Sequence, residues 1–248
     1  MRHILRSICV FAVICIGEYC AVVSKIKMKT LLKSIANDFS HWNTKMICRA
    51  GAIAALYAVV TWLFGIGNWA YGPFQIRPTE ALTVLPLFFP EAVPALYLGC
   101  ILANFFSSYG VYDIFLGSLA TLFAAFFTYL CGRVFKNDIL KIITGGIFPV
   151  AFNAFIIPAV WILAGSPDVV YWAEVASMAV TEAVWYYVLG TMLYFAVEAL
   201  RKRGVKVFTS PVHARAGAKG SLTAQSEQKE SQTRSVAEQN GGAEQYKG

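Results

Sequence analysis

Polar and ionisable side chains interrupt a long apolar stretch between Tyr71 and Thr121, in which leucine, phenylalanine, alanine and valine predominate. The interrupting residues are Arg77, Glu80, Glu91, Asn104 and Asp113. An ionised side chain at the centre of a bilayer costs about 2.5–3.5 kcal/mol on insertion scales, so a charged residue there is a functional candidate by default. The stretch therefore predicts a site for a polar ligand inside a membrane domain.

Two carboxylates, Glu80 and Glu182, are the strongest of these candidates. Glu80 falls in the first turn of a predicted helix, where the macrodipole and Arg77 one turn back would stabilise a carboxylate without any ligand. The alternative is that Glu80 accepts hydrogen bonds from a ligand. Glu182 lies deep in another apolar segment with no basic residue near it in sequence. Its partner must therefore come from another helix, from water or from a ligand.

Two asparagines, Asn104 and Asn153, bring amide donors and acceptors into the same apolar segments. Asn104 could simply bond a neighbouring helix. Asn153 follows Pro149 by four residues, so its amide could satisfy backbone groups that the proline leaves free. For both residues the alternative is direct contact with a ligand.

Aromatic residues accompany these polar groups. Trp69 and Tyr71 lie in a glycine- and proline-rich loop between Gly65 and Pro78, where they are either anchors at the membrane interface or a lid over a ligand. Trp185 falls near the same helical stripe as Glu182. Aromatic rings stack on flat heterocycles and attract cations, and a carboxylate accepts two parallel hydrogen bonds from a guanine-like edge as it does from arginine. The set suits a flat, polar, cationic heterocycle.

Motifs for covalent or metal chemistry are absent from the sequence. There is no HExxH, no paired histidine, no Ser/His/Asp order and no Walker A phosphate loop, and the histidines, His3, His41 and His213, lie outside the apolar segments. The six cysteines include no Cys-x-x-Cys pair, which favours small buried side chains over a disulfide or zinc framework. We therefore predict a protein that is not an enzyme and holds no cofactor or metal, with a membrane-embedded enzyme as the alternative.

Composition places the chain among integral membrane proteins. Of its 248 residues 57% are hydrophobic and only 14% are charged, whereas a soluble domain has about 25% charged residues. The basic residues cluster at 25–49, 133–141 and 201–219, beside apolar segments, as the positive-inside rule requires of cytoplasmic loops. Nucleic-acid binding is the weaker explanation of these clusters, because no soluble domain is left to carry it.

Six apolar segments are expected to be transmembrane helices, which makes the fold class all-α. They run from about Ile47 to Ile66, Pro78 to Pro90, Ala92 to Phe106, Tyr112 to Gly132, Ile142 to Ala164 and Tyr171 to Leu200. An even count with the basic clusters inside puts both termini in the cytoplasm. Small residues recur every four positions in the first span, at Ala50, Ala54 and Ala58, which indicates a face for helix docking or plain alanine richness.

The two ends of the chain lie outside the membrane domain, which is expected over residues 47–206. Residues 1–27 are an N-terminal extension of uncertain role, and a start at Met28 would open an ordinary cytoplasmic leader over residues 28–46. Residues 207–248 are rich in glutamine, serine, glutamate, glycine and lysine with almost no large apolar side chains. Such a segment cannot bury enough surface to fold, so we expect a disordered cytoplasmic tail.

The central motifs resemble the QueT family of substrate-binding S components of energy-coupling factor (ECF) transporters. The resemblance is carried by GPFQIRPTEALTVLP at 72–86, FPEAVP at 89–94, LGCILAN at 98–104, DIFLGSLAT at 113–121 and FNA at 152–154, with the Glu182 region. It covers roughly Lys45 to Leu200 and neither end of the chain.

The resemblance implies a six-helix S-component bundle in the bacterial plasma membrane that captures a queuosine precursor from outside the cell. The implied ligand is 7-aminomethyl-7-deazaguanine or a related deazaguanine, which suits Glu80, Asn153 and Glu182. The implied partners are a transmembrane coupling subunit and two ABC ATPases, with the first helix docking on the coupling subunit, matching Ala50, Ala54 and Ala58. Another small vitamin-like heterocycle is the alternative ligand.

Overall fold

The computed structural model describes residues 28–40, 42–66, 76–107, 109–165, 170–205 and 207–208. These residues form helices joined by turns and irregular connections, with no strand among them. The chain divides into two compact units, Met1–Arg203 and Gly204–Gly248. The all-α prediction is thus confirmed for the part of the chain that is described. The N-terminal extension over 1–27 and all but two residues of the predicted tail lie outside that part.

Four helices among the described residues are long and apolar enough to cross a membrane. They are α2 (Thr44–Gly65), α4 (Gly110–Val134), α5 (Asp138–Leu163) and α6 (Tyr171–Lys202). Helix α1 (Met28–Ser40) precedes them, and α3 (Ala92–Asn104) is a shorter apolar helix. Two of the long helices contain a π-helical stretch, Asp113–Gly117 in α4 and Trp185–Gly190 in α6.

The second predicted span is a 3-10 helix, Pro78–Leu87, and not an α-helix. Pro78 stands at its start, where an α-helix also tolerates proline, whereas Pro86 lies within it and removes a backbone donor that an α-helix would use. Every residue from Thr79 to Pro86 is buried. Runs of 3-10 helix longer than about four residues are uncommon, and such a stretch often marks a functional segment or local strain.

This 3-10 helix lies at the centre of the bundle and contacts each of α2, α3, α4, α5 and α6. Its closest neighbours are α4 and the π-helical stretch of α6. Gly132 of α4 permits the approach, because a Cβ atom there would lie 2.6 Å from the carbonyl oxygen of Leu87. Gly99 of α3 permits a similarly close approach to α2, because a Cβ atom on Gly99 would lie 2.9 Å from the carbonyl oxygen of Ala54. The bundle therefore closes tightly around the segment that carries Glu80.

Part of the predicted leader folds as α1 and is fastened to α4. The Asp38 side chain is only 3% exposed; it accepts a hydrogen bond of 2.6 Å from the Tyr129 hydroxyl and pairs with Arg133. The ring of Phe39 packs edge-on against Tyr129, with 5.5 Å between the ring centroids. The sequence predicts only a leader over residues 28–46 and does not indicate this attachment.

Candidate functional site

Glu80 is held between two helices by a hydrogen bond to each of its carboxylate oxygens. The Tyr57 hydroxyl of α2 donates to Oε1 at 2.8 Å, and the Asn153 amide of α5 donates to Oε2 at 3.3 Å. Glu80 itself is 1% exposed. Both donors favour the charged carboxylate, and they come from different helices, so the orientation of this group is determined by the packing of the bundle.

Glu182 of α6 lies beside this group and is 4% exposed. It interacts electrostatically with Glu80 and with Arg77, and the Asn153 amide that donates to Glu80 acts on Glu182 as well. Its Oε2 atom is buried and has no hydrogen-bond partner among the described residues. We call Glu80 and Glu182 the acid pair; the second member has an acceptor that nothing in the described part of the chain satisfies.

Arg77 is the buried cation with which these carboxyl groups interact. It precedes the 3-10 helix, is 4% exposed, and its Nη2 atom lies 4.0 Å from Oδ2 of Asp113. Glu80 and Glu182 also interact with its charge. Three buried carboxyl groups thus act on one guanidinium in the described part of the site. Buried charges in proteins are normally balanced, so the surplus of acid favours a cationic ligand.

Asp113 opens the π-helical stretch of α4 and is fully buried. Its Oδ2 accepts a 2.6 Å hydrogen bond from the Ser107 hydroxyl, and its carbonyl oxygen accepts one of 3.0 Å from the Asn104 amide. Asn104 therefore bonds a neighbouring helix, which was one of its two expected roles. Its own Oδ1 is buried without a partner in the described residues.

The predicted aromatic contacts fall partly outside the described residues. Trp69 and Tyr71 both lie in the undescribed range 67–75. Trp185 is half-buried at the first position of the π-helical stretch of α6, three residues after Glu182. Of the predicted ligand residues, the structure brings together Arg77, Glu80, Asn153 and Glu182, drawn from three separate parts of the chain.

The alanine face of α2 is turned mainly toward the protein itself. Ala58 is 3% exposed, and Ala54 is half-buried with its backbone against Gly99. Ala50 is also half-buried. The small residues that the same helix exposes are Gly51, Ala52 and Ala55.

Sequence reasoning missed Tyr57 and Ser107, although both contact the buried acids. Tyr57 had a detectable signal, because Thr61 follows it by four residues and places a second hydroxyl on the same face of an apolar helix. Ser107 had none, because it lies in the connection between α3 and α4, where serine is ordinary.

Other places in the described structure fit a polar ligand less well. An apolar groove of about 350 Å³ is lined by Val59, Trp62, Leu63, Gly65, Ile66 and Phe106. It contains no charged side chain that could bind a polar heterocycle. No group of three or more His, Cys, Asp or Glu side chains able to hold a metal ion occurs among the described residues.

Comparison with known proteins places the site in a family. The family described as QueT transporter matches residues 47–199, a range that includes α3 to α5, nearly all of α2 and α6, and the whole acid pair. The chain belongs to the QueT transporter family. It is thus a multi-pass protein of the cell membrane with a role in transport, in agreement with its long apolar helices.

One similar protein is the "Queuosine precursor transporter QueT" of Lactococcus lactis subsp. cremoris (strain MG1363). It is 35% identical over 86 residues, which are 35% of this chain and 50% of the relative. The aligned part thus spans about half of that relative's length. No solved structure matches the chain.

Proposed function

We propose that this protein is the S component of an ECF importer and captures 7-aminomethyl-7-deazaguanine, or a related deazaguanine, from outside the cell. The observation that carries the proposal is the surplus of buried acid around Arg77, because a cationic or strongly donating ligand would balance it. A deazaguanine with an aminomethyl group has both properties. The printed name of the Lactococcus relative, a queuosine precursor transporter, supports the same ligand class.

The two members of the acid pair are assigned different parts of the ligand. Oε2 of Glu182 has no partner among the described residues, so we assign it the ligand ammonium. Glu80 already accepts one hydrogen bond on each oxygen, and each oxygen of a carboxylate has two lone-pair sites. Glu80 therefore keeps the capacity to accept the parallel donors of the guanine-like edge.

The proposed topology has six crossings with both termini in the cytoplasm. Four crossings are α2, α4, α5 and α6. The 3-10 helix, with 10 residues, and α3, with 13 residues, supply the other two crossings. Each rises about 20 Å, so each helix by itself is shorter than the roughly 30 Å of a bilayer core. The basic residues before α2, after α4 and after α6 support the orientation.

The proposed partners are a transmembrane coupling subunit and two ABC ATPases. The chain has no Walker A phosphate loop, so in this proposal ATP hydrolysis is carried out by separate subunits. We place the docking surface on α2, centred on its exposed small residues Gly51 and Ala55, with the half-buried Ala50 and Ala54 at its border. Small side chains let a partner helix approach closely in a bilayer.

Calorimetry on the purified protein tests the ligand. Titration with 7-aminomethyl-7-deazaguanine should give saturable binding, whereas guanine, which lacks the aminomethyl group, should bind more weakly. Mass spectrometry of small molecules that copurify with the protein provides an independent identification. Absence of binding to any deazaguanine, together with a different copurified heterocycle, would replace the ligand and favour the alternative of another vitamin-like substrate.

A further inference from the structure

Tyr57 is the first-span residue that reaches the acid pair. Its side chain is 1% exposed, and its hydroxyl donates to Oε1 of Glu80 at 2.8 Å. We propose that Tyr57 is a positioning residue of the ligand site, which holds the Glu80 carboxylate in the orientation that the ligand meets. The inference rests on the proposed function, in which Glu80 binds the ligand, and it adds α2 to a site that the sequence placed on later segments.

The Tyr57 side chain is closely packed at its Cβ atom. Gly99 of α3 lies directly against it, and a Cβ atom on that glycine would come within 2.9 Å of the Tyr57 Cβ atom. The phenol therefore projects from a tightly packed contact between α2 and α3. A donor on such a rigid base restrains a glutamate side chain, which otherwise has three rotatable bonds and considerable rotamer entropy to lose on binding.

The hydrogen bond of Tyr57 is the shorter of the two that hold Glu80. Glu80 interacts with the like charge of Glu182, and the Asn153 amide reaches Glu80 only at 3.3 Å. The shorter bond from Tyr57 is thus the stronger restraint on the side of Glu80 that faces α2. Without it, only the longer bond from Asn153 would hold the carboxylate in the arrangement that a bifunctional ligand requires.

A second contact between the same two elements supplies a matched control. One turn along α2, the hydroxyl of Thr61 lies 3.1 Å from the hydroxyl of Thr79, so it joins α2 to the 3-10 helix without touching a carboxylate. A variant at Thr61 disturbs helix packing alone. A variant at Tyr57 disturbs helix packing and the carboxylate together, so the comparison separates the two effects.

The experiment is calorimetric titration of the full-length protein with 7-aminomethyl-7-deazaguanine. Tyr57→Phe should weaken binding about tenfold, which is the lower end for loss of a hydrogen bond to a charged group. Thr61→Val should bind like the wild type. Adding Tyr57→Phe to Glu80→Gln should cost little beyond Glu80→Gln alone, because a residue that acts through the carboxylate has little effect once the carboxylate is gone.

Each outcome decides between positioning and packing. Wild-type affinity in Tyr57→Phe, equal losses in Tyr57→Phe and Thr61→Val, or additive losses in the double variant would each overturn the proposal. If Tyr57→Phe alone fails to fold, the comparison of Glu80→Gln with the double variant decides. A wild-type protein that binds no deazaguanine would refute the proposed function and, with it, the role of Tyr57. If the wild type binds and Tyr57→Phe binds with the same affinity, only the role of Tyr57 is refuted.

Discussion

Replacing Glu182 by glutamine should separate ligand binding from folding. The side chain is 4% exposed and its Oε2 has no hydrogen-bond partner among the described residues. Glutamine keeps the shape of the side chain and removes the charge. Because a neutral amide is cheaper to bury than a carboxylate with an unsatisfied oxygen, the variant should fold at least as stably as the wild type.

The expected loss of affinity follows from the contact that disappears. A hydrogen bond involving a charged group contributes roughly 1.5–3 kcal/mol, and every 1.4 kcal/mol is a factor of about ten in affinity. Glu182→Gln should therefore bind 7-aminomethyl-7-deazaguanine about 10- to 100-fold more weakly. The neutral analogue 7-cyano-7-deazaguanine has no ammonium group to pair with Glu182, so its affinity should change much less.

Glu80→Gln is the matched comparison for Glu182→Gln, because both carboxylate oxygens of Glu80 accept hydrogen bonds. A glutamine amide has one oxygen and one NH2 group, so it meets Tyr57 or Asn153 with a donor where an acceptor was needed. This variant should lose thermal stability as well as affinity, whereas Glu182→Gln should lose affinity alone. The assays are calorimetry with both ligands and thermal unfolding in one detergent. Equal losses for the two ligands in Glu182→Gln would refute the assignment of the ammonium to Glu182.

Three further predictions concern other parts of the molecule. Arg49→Met should destabilise the fold by about 3–5 kcal/mol in denaturant unfolding, because it leaves the fully buried carboxylate of Glu91 without its ion-pair partner; unchanged stability would mean that the pair is dispensable. Asp38→Asn should release α1 and speed hydrogen exchange of its amides, since it weakens the contacts with Tyr129 and Arg133; exchange at the wild-type rate would argue against that anchor. Ala55→Leu should abolish uptake in cells and leave ligand affinity intact, whereas Ala176→Leu on the exposed face of α6 should leave both intact; normal uptake by Ala55→Leu would move the docking surface elsewhere.

The helical fold and part of the site could be predicted because their causes are local. Apolar length identifies α2, α4, α5 and α6 without reference to any contact. A carboxylate such as Glu80 or Glu182 is conspicuous in an apolar segment, because burying it is costly. The sequence therefore indicated which residues were unusual and that Arg77 lies beside Glu80, whereas Asn153 and Glu182 were grouped with Glu80 only through the family resemblance.

The 3-10 helix and the direction of the alanine face of α2 depend on tertiary packing. A stretch with a proline at each end is compatible with a kinked α-helix or with a 3-10 helix, and Pro78–Leu87 adopts the latter where five helices surround it. The alanine spacing of α2 predicted a face for close helix packing, but could not distinguish a partner's helix from α3 of the same chain. The structure turns Ala54 and Ala58 inward because Gly99 of α3 leaves room for that approach.

Helix α2 carries both Tyr57 and the proposed docking surface. Tyr57 faces the acid pair, and Ala55, two residues earlier, is exposed; at about 100° per residue the two side chains lie about 200° apart around the helix axis. The ligand site and the proposed docking surface are therefore separated by the width of a single helix. A rearrangement of Glu80 on binding would act on α2 through the Tyr57 hydroxyl, and an α-helix moves largely as a unit. We therefore expect the effect of Tyr57→Phe on uptake to exceed its effect on affinity, and equal effects on both would show that α2 does not couple the two surfaces.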